Sequence, residues 1–156
     1  MGVVAGLFTG QGAEVVILAQ VNAPTSVGFY VKLGYVVELA EATTGYVILA
    51  YQNEVHRERT LTEWKRKLGK NLPKDLSKHL ARIRQQGYER RPSYKVHGIT
   101  NMSCPIFDER DSAICALSIP YIEHSEANAP LSEISSSLSR AANEITAAIG
   151  GRRPRG

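Results

Sequence analysis

Two β-prone runs near the middle of the chain alternate between apolar and polar positions. Residues 98–107 and 113–119 flank the charged loop Asp108–Ser112, and a turn-forming segment of this length between such runs predicts an antiparallel hairpin. The residues expected on the apolar face are Met102, Cys104 and Ile106 in the first strand and Ala113, Cys115, Leu117 and Ile119 in the second. Opposing these faces pairs Met102 with Leu117 and Cys104 with Cys115.

The second face of this hairpin carries small and polar side chains. The same register places Asn101 opposite Ser118 and Ser103 opposite Ala116. A sheet face without bulky side chains leaves room for a small ligand, which hydroxyl, amide and backbone groups would orient. The alternative is that this face is the solvated side of an antiparallel sheet.

The pattern along the rest of the chain predicts an α+β domain, with helices packed beside a mainly antiparallel sheet. Further strands are expected at Val3–Phe8, Glu14–Val21 and Val27–Val31, and helices from about Ala42 to Gln52 and over Leu61–Leu68, Lys74–Gln86 and Leu131–Ile149. The segment Tyr88–Tyr94 is expected to be a charged connector. Residues 150–156 are expected to be a frayed basic tail.

The turn expected at the start of the first helix is a candidate anion site. Its backbone N–H groups lie at the positive end of the helix, and the hydroxyls of Thr43 and Thr44 lie beside them. Such a turn is a suitable receptor for a carboxylate. The alternative is that the threonines only cap the helix.

Composition restricts the classes of protein that fit this pattern. The chain has 156 residues, of which 43% are hydrophobic and 22% charged, as in one globular domain. Its net charge of +4 is modest, so the basic residues are expected to form a solvated helix face rather than a nucleic-acid surface. No apolar run has the length of a membrane span, and the start does not resemble a signal peptide. We therefore expect a cytoplasmic protein with two reduced cysteines.

Residues that could carry catalysis form no convincing set. Cys104 with His97 is a possible nucleophile pair, but a cysteine on the apolar face of a strand is usually inert. The other histidines are scattered and are expected at the surface, and turn chemistry explains the acidic residues of the hairpin loop. No spacing of Cys or His suggests a metal site. We expect no catalytic residue, no metal and no cofactor.

The segment Gly28-Phe-Tyr-Val-Lys-Leu-Gly-Tyr-Val-Val resembles a segment late in acyl-CoA acetyltransferases of the GNAT type. That family has several strands and a pyrophosphate-binding loop upstream of this segment, whereas 27 residues precede Gly28 here. Only a fragment of a GNAT-type enzyme would fit this segment, and it is kept as one alternative. A GAF-like redox enzyme that uses Cys104 is another.

A second resemblance covers nearly the whole chain. Its blocks are Val31-Lys-Leu-Gly-Tyr followed by Glu41–Ala50, then Leu80–Tyr88, and finally Gly98–Glu109 with Ala116–Ile119. In this order they resemble the C-terminal effector-binding domain of IclR-type bacterial transcriptional regulators. The last block is the most specific of them.

The resemblance implies a GAF-like (profilin-like) fold that binds a small metabolite, often an organic or aromatic acid, and controls a DNA-binding domain. It also implies a dimer or tetramer. The effector-binding domain is expected over residues 1–150, followed by a basic tail at 151–156, with the family's N-terminal helix-turn-helix absent from this chain. The pocket residues that the resemblance implies are Phe29, Thr43, Thr44, Gly45, Asn101, Ser103 and Ser118.

The chain departs from the family pattern at several positions. Arg90, Arg91, Ser93 and Lys95 stand where members commonly carry acidic residues, Pro120 replaces a serine or glycine, and Tyr46 replaces a common lysine. The added positive charge favours an anionic ligand.

Overall fold

A computed structural model describes residues 13–21, 31–69, 71–122 and 129–155, and these form antiparallel sheets flanked by helices. The strands are β1 (Glu14–Val16), β2 (Val36–Glu38), β3 (Glu89–Pro92), β4 (Ile99–Phe107) and β5 (Ala113–Ile122). The α-helices are α1 (Thr43–Tyr51), α2 (Glu54–Leu68), α3 (Leu76–Gln86) and α4 (Leu131–Ala148). β1 pairs with β2, and β3, β4 and β5 form a separate sheet in that order. The predicted α+β class is confirmed.

The sheet of β3, β4 and β5 separates two apolar clusters. On one face, Met102, Cys104 and Leu117 pack against Ile134 and the rest of the apolar side of α4. On the other face, α1 lies between the sheet and the helices α2 and α3. Because α1 is covered on all sides, every residue from Thr43 to Ala50 is buried, as expected for a helix without a polar face.

The predicted faces of the central hairpin are correct along most of its length, but the predicted register is wrong by two residues. Met102 lies opposite Ile119, Cys104 opposite Leu117, and Ser103 opposite Ser118. At the loop, Ala113 lies opposite Phe107, where the predicted register would place Ser112, and the irregularity between Ile106 and Phe107 adds the second residue of the shift. A two-residue shift keeps every side chain on its face. It also separates the two cysteines, which are free and buried.

The conformation of the loop Asp108–Ser112 accounts for the pairing of β4 and β5 next to it. The Asp108 carboxylate accepts hydrogen bonds from the backbone N–H groups of Arg110 (2.8 Å) and Ser112 (3.1 Å). Asp111 has a φ of 59°, in the left-handed region. The tight loop so formed brings Ala113 into the strand directly after Ser112.

Several other boundaries differ from the prediction. The strand expected at Glu14–Val21 ends at Val16. The strand β2 was not predicted, and β3 lies where a charged connector was expected. The four predicted helices are present, with α2 starting earlier, at Glu54, because the Asn53 side chain accepts a hydrogen bond from the His56 N–H. The expected strands at Val3–Phe8 and Val27–Val31 fall outside the described residues, except for Val31, which is not in a strand.

The tail after α4 is not frayed as predicted. The Gly151 N–H donates to the Thr146 carbonyl at 2.8 Å, and the Arg152 N–H donates to the Asp108 carbonyl at 3.0 Å. The chain beyond α4 is thereby attached to the loop between β4 and β5.

Candidate functional site

The N-terminus of α1 leaves hydrogen-bond donors free on the side that faces the sheet. The N–H groups of Gly45 and Tyr46 both donate to the Ala42 carbonyl, at 3.0 and 3.4 Å. The cap residue is an alanine, and no side chain caps the helix. The N–H groups of Thr43 and Thr44 therefore have no acceptor among the described residues. The alternative that the threonines serve as caps is wrong.

The small face of β4 and β5 lies beside this helix start. Ser103 and Ser118 are direct cross-strand partners, and their hydroxyl oxygens are 2.5 Å apart. Ser103 is fully buried, whereas Ser118 is partly exposed to the space between the strand and the helix. The face is small and polar at these two serines, as predicted, and the alternative of a solvated face is wrong because α1 packs against β4 and β5.

Together, the helix start and the hairpin face border a cavity of about 560 Å³. This volume lies in the range of small-molecule sites. Five of the residues singled out from the sequence line it, namely Thr43, Thr44, Asn101, Ser103 and Ser118. Its apolar walls are Ile17, Val31, Val37, Val96, Ile99, Ile119 and Pro120. The cavity is thus apolar at its sides and has hydroxyl, amide and N–H groups on one wall.

Of the other two predicted site residues, one lies away from the cavity and one is outside the described residues. Gly45 does not line the cavity; a Cβ at this position would lie 2.8 Å from the Leu39 carbonyl oxygen, so the glycine lets α1 approach the preceding 3₁₀ turn Leu39–Glu41. Gly45 therefore allows the first turn of α1 to pack closely against the Leu39 backbone. Phe29, the expected apolar wall, lies outside the described residues.

The cavity mouth carries charged and aromatic side chains that the sequence did not mark as a site. Lys95 donates a hydrogen bond from Nζ to the Tyr35 hydroxyl at 2.9 Å, and its ammonium lies 5.0 and 5.2 Å from the ring centroids of Tyr35 and Tyr94. These phenols raise the pKa of Lys95, which keeps it charged. Lys32 also lines the cavity, and Glu41 is the one acidic residue among the described lining residues.

Arg90 and Arg91, whose positive charge was expected to favour an anionic ligand, do not line the cavity. The Arg91 guanidinium lies 4.5 Å from the centroid of the Tyr46 ring, a cation–π contact on the far side of the helix start. Beside it, the buried Glu89 carboxylate bonds to the ring of His79. His79 stacks on Tyr46 at 4.8 Å, so it is part of a packed polar cluster rather than a free surface histidine as expected.

The thiols lie apart from the cavity. Cys104 and Cys115 belong to the cluster under α4, on the opposite face of the sheet from Ser103. Burial raises the pKa of Cys104 to about 11 and that of Cys115 to about 12. Because the thiolate is the nucleophile, this environment makes both thiols poor nucleophiles.

Neither a metal site nor a membrane span is found in the described part of the chain. No group of three or more His, Cys, Asp or Glu residues there is arranged to hold a metal ion. None of the helices in those same ranges is long and apolar enough to cross a bilayer.

Comparisons with known proteins agree with this architecture. Residues 2–147 match the family described as the C-terminal domain of the bacterial transcriptional regulator IclR. No curated protein matches the sequence significantly.

Several solved structures are similar to the chain. The Thermotoga maritima IclR structure has 25% sequence identity and a TM-score of 0.73, covering 94% of this chain and 61% of that one. The C-terminal domain of the E. coli transcriptional regulator KdgR has 21% identity and a TM-score of 0.71, covering 93% and 86%. Pseudomonas aeruginosa HmgR has 18% identity and a TM-score of 0.76, covering 94% and 59%. This chain thus spans about three fifths of the Thermotoga protein.

Proposed function

Since this chain belongs to the IclR C-terminal family of bacterial transcriptional regulators, we propose that it binds a small organic or aromatic acid and thereby controls DNA binding by a regulator. The observation that carries the proposal is the cavity of about 560 Å³ between the α1 N-terminus and the β4–β5 face. Under this proposal, residues 1–150 are the effector-binding domain and residues 151–156 a basic tail. We assign DNA contact to the helix-turn-helix domain of the family, in the cytoplasm.

The arrangement of polar groups favours an acid as the ligand. The free N–H groups of Thr43 and Thr44 lie at the positive end of α1, where a carboxylate is stabilised. The Ser118 hydroxyl and the Asn101 amide face the same space and can complete its hydrogen bonds. Lys95 and Lys32 at the mouth outnumber the single carboxylate of Glu41 among the described lining residues, so the local charge also favours an anion.

The apolar walls account for the rest of the ligand. Ile17, Val37, Ile99 and Ile119 surround the polar wall, and an aliphatic or aromatic ligand body would leave water to pack against this apolar surface. We propose Thr43, Thr44, Asn101, Ser103 and Ser118 as the residues that bind the effector. In this proposal Gly45 does not bind the effector but allows the close packing of the first turn of α1. Phe29 is kept from the family resemblance as a further apolar wall residue.

The proposed mechanism is allosteric and not catalytic. A ligand shifts the arrangement of associated domains only by the difference between its affinities for two states. We propose self-association as a dimer or tetramer as part of this mechanism; Leu18, Leu33 and Val36 are large apolar side chains exposed near β1 and β2. The raised thiol pKa values speak against a redox enzyme built on Cys104. The acetyltransferase alternative is not kept, because the family match spans its segment.

A thermal-shift screen of this chain against small carboxylic and aromatic acids tests the proposal. A ligand at a hundredfold excess over its Kd adds roughly 2.7 kcal/mol to the free energy of unfolding, which raises Tm by about 5–10 °C. Thr44→Ala and Ser118→Ala should each weaken the affinity for the selected acid about tenfold, because each removes a hydroxyl that bonds to it.

Thr62→Ala is the matched control. Thr62 is exposed on α2, and its hydroxyl donates to the Glu58 carbonyl at 2.8 Å, away from the cavity. This variant should bind the acid as the parent does. If stabilisation by the acid survives both cavity substitutions, or if the control loses it equally, the proposed site is wrong. If only acetyl-CoA raises Tm, the sensor function itself is wrong.

A further inference from the structure

The cavity proposed above to bind the effector, at the N-terminus of α1, is called the effector cavity here. A second cavity, of about 480 Å³, lies at the opposite end of α1. Its walls are the last residues of α1 with Gln52, one residue of α2, one of α3 and part of the C-terminal tail. Four of its eight lining residues are arginines and none is acidic: Arg57, Arg84, Arg153 and Arg155, with Ala50, Tyr51, Gln52 and Pro154. The volume exceeds that of a simple anion and suits a small organic molecule.

Hydrogen bonds of the backbone hold the tail against this cavity. Gly150 has a φ of 77°, which turns the chain back after α4. The N–H groups of Gly151 and Arg152 then donate to the Thr146 and Asp108 carbonyls. At Gly151 a Cβ would collide with the Phe107 carbonyl. The sequence Gly150-Gly151 therefore determines the path by which the following arginines reach the cavity.

A glycine also fixes the position of Arg153. The Arg153 guanidinium lies directly over Gly87, the residue that ends α3, where any Cβ would displace it. It also lies beside the Tyr51 hydroxyl: burial raises the pKa of Tyr51, and the charge of Arg153 opposes that rise. The Tyr51 hydroxyl itself donates to the Ile83 and Arg84 carbonyls, at 3.3 and 3.1 Å. Arg153 thus lies against a defined surface while remaining exposed to solvent on its other side.

Two of the four arginines have a partial structural explanation. Arg84 donates from Nη1 to the Ala50 carbonyl at 3.0 Å, and Arg57 donates to the Gln52 carbonyl at 3.4 Å. These bonds satisfy carbonyls at the C-terminus of α1, where cations are favoured. Arg153 and Arg155 are not explained in this way. None of the four forms an ion pair with a carboxylate in the described ranges, so the cavity has an excess of positive charge.

We propose that this second cavity binds a small phosphorylated molecule, a ligand class distinct from the effector acid. Several guanidiniums around a concave surface match the oxygens of a phosphate or pyrophosphate group, which accept paired hydrogen bonds from arginine. Tyr51, Ala50 and Pro154 provide the less polar wall for the remainder of the molecule. The concave shape favours a small ligand over the backbone of a nucleic acid, which needs an extended basic surface.

Calorimetric titration of this chain with inorganic pyrophosphate tests the site. Saturable binding with one pyrophosphate per chain is expected, and it should weaken as the salt concentration rises because the charges are partly exposed. Arg153→Ala and Arg155→Ala should each weaken the binding about tenfold, since each removes charge-assisted hydrogen bonds.

Arg152→Ala is the matched control. Arg152 is an exposed neighbour in the same tail, but its side chain turns to the Glu109 carbonyl (3.2 Å) and to Asp111 (3.8 Å), and it does not line the cavity. This variant should bind pyrophosphate as the parent does, and the Tm of every variant confirms its folding. Equal losses in all three variants, or no saturable binding by the parent, would overturn the proposal. So would a duplex DNA that binds the parent and is not displaced by pyrophosphate. Thr44 and Ser118 do not line this second cavity. A negative result with pyrophosphate would therefore not count against the proposed effector site.

Discussion

At the residue scale, the environment of the two thiols determines whether Cys104 can act as a nucleophile. Cys104 is buried among Met102, Ile106 and Leu117 under α4, on the face of the sheet that points away from the effector cavity. Burial raises its pKa to about 11. The thiolate therefore forms only as the pH rises through that range, and at neutral pH Cys104 is a small apolar side chain.

We predict that both thiols react slowly with a disulfide reagent in the folded protein. At pH 8 the thiolate fraction of Cys104 should be about a hundredfold lower than that of a thiol with the ordinary pKa of 9.0, and the rate should fall accordingly. The rate should rise as the pH is increased toward 11. The measurement is the time course of labelling at several pH values, with urea-unfolded protein as the control. One thiol that reacts rapidly at pH 8 in the folded chain would support the redox alternative.

At the element scale, α1 organises both cavities. Its N-terminus borders the effector cavity and its C-terminus the arginine-lined one. The helix is buried from Thr43 to Ala50, so its position is fixed by packing. Gly45 is central to that packing, because it allows the first turn to touch the Leu39 backbone.

Gly45→Ala should destabilise the protein, although alanine is normally the better helix former by about 1 kcal/mol. The added Cβ would lie 2.8 Å from the Leu39 carbonyl oxygen, and relieving such a contact in a packed core costs about 1–3 kcal/mol. Urea unfolding measures the change. Gly34→Ala is the comparison, because Gly34 has open space around it and a φ of 76°, so only backbone strain is expected there. A Gly45→Ala protein more stable than the parent would contradict the packing described here.

The strands show which features of an element can be predicted. The faces of β4 and β5 follow from the two-residue period of side chains, so Ser103 and Cys104 were placed on their correct faces. The register could not be predicted, because it depends on how Asp108 closes the loop. The sequence pattern did not predict β3, because most of its side chains are charged. Its Glu89 is buried by a partnership with His79 on α3, which no local pattern indicates.

At the scale of the whole molecule, residues distant in sequence meet at the effector cavity. Thr43 and Thr44 were joined to Asn101, Ser103 and Ser118 through a family resemblance, and the fold brings these five residues to one cavity. Periodicity alone could not have joined them.

The mouth of the cavity was not predicted. The contact between Tyr35 and Lys95 spans 60 residues and follows from no motif. It arises because the loop after β3 folds over the chain segment that leads into β2. The residues of the polar wall could therefore be predicted from the sequence, whereas the contact between Tyr35 and Lys95 at the entrance could not.

The most direct measurement is a two-dimensional ¹H–¹⁵N NMR titration of this chain with the acid selected by the thermal-shift screen. If the effector binds where we propose, the amide signals of Thr43, Thr44, Asn101 and Ser118 should shift together and saturate at one ligand per chain. The reason is that the free N–H groups at the start of α1 would then donate hydrogen bonds to the acid. Signals of the α4 residues Ser135 and Ser136, which do not line this cavity, should stay in place. Saturable shifts confined to α4, with those of Thr43 and Thr44 unchanged, would contradict the proposed site.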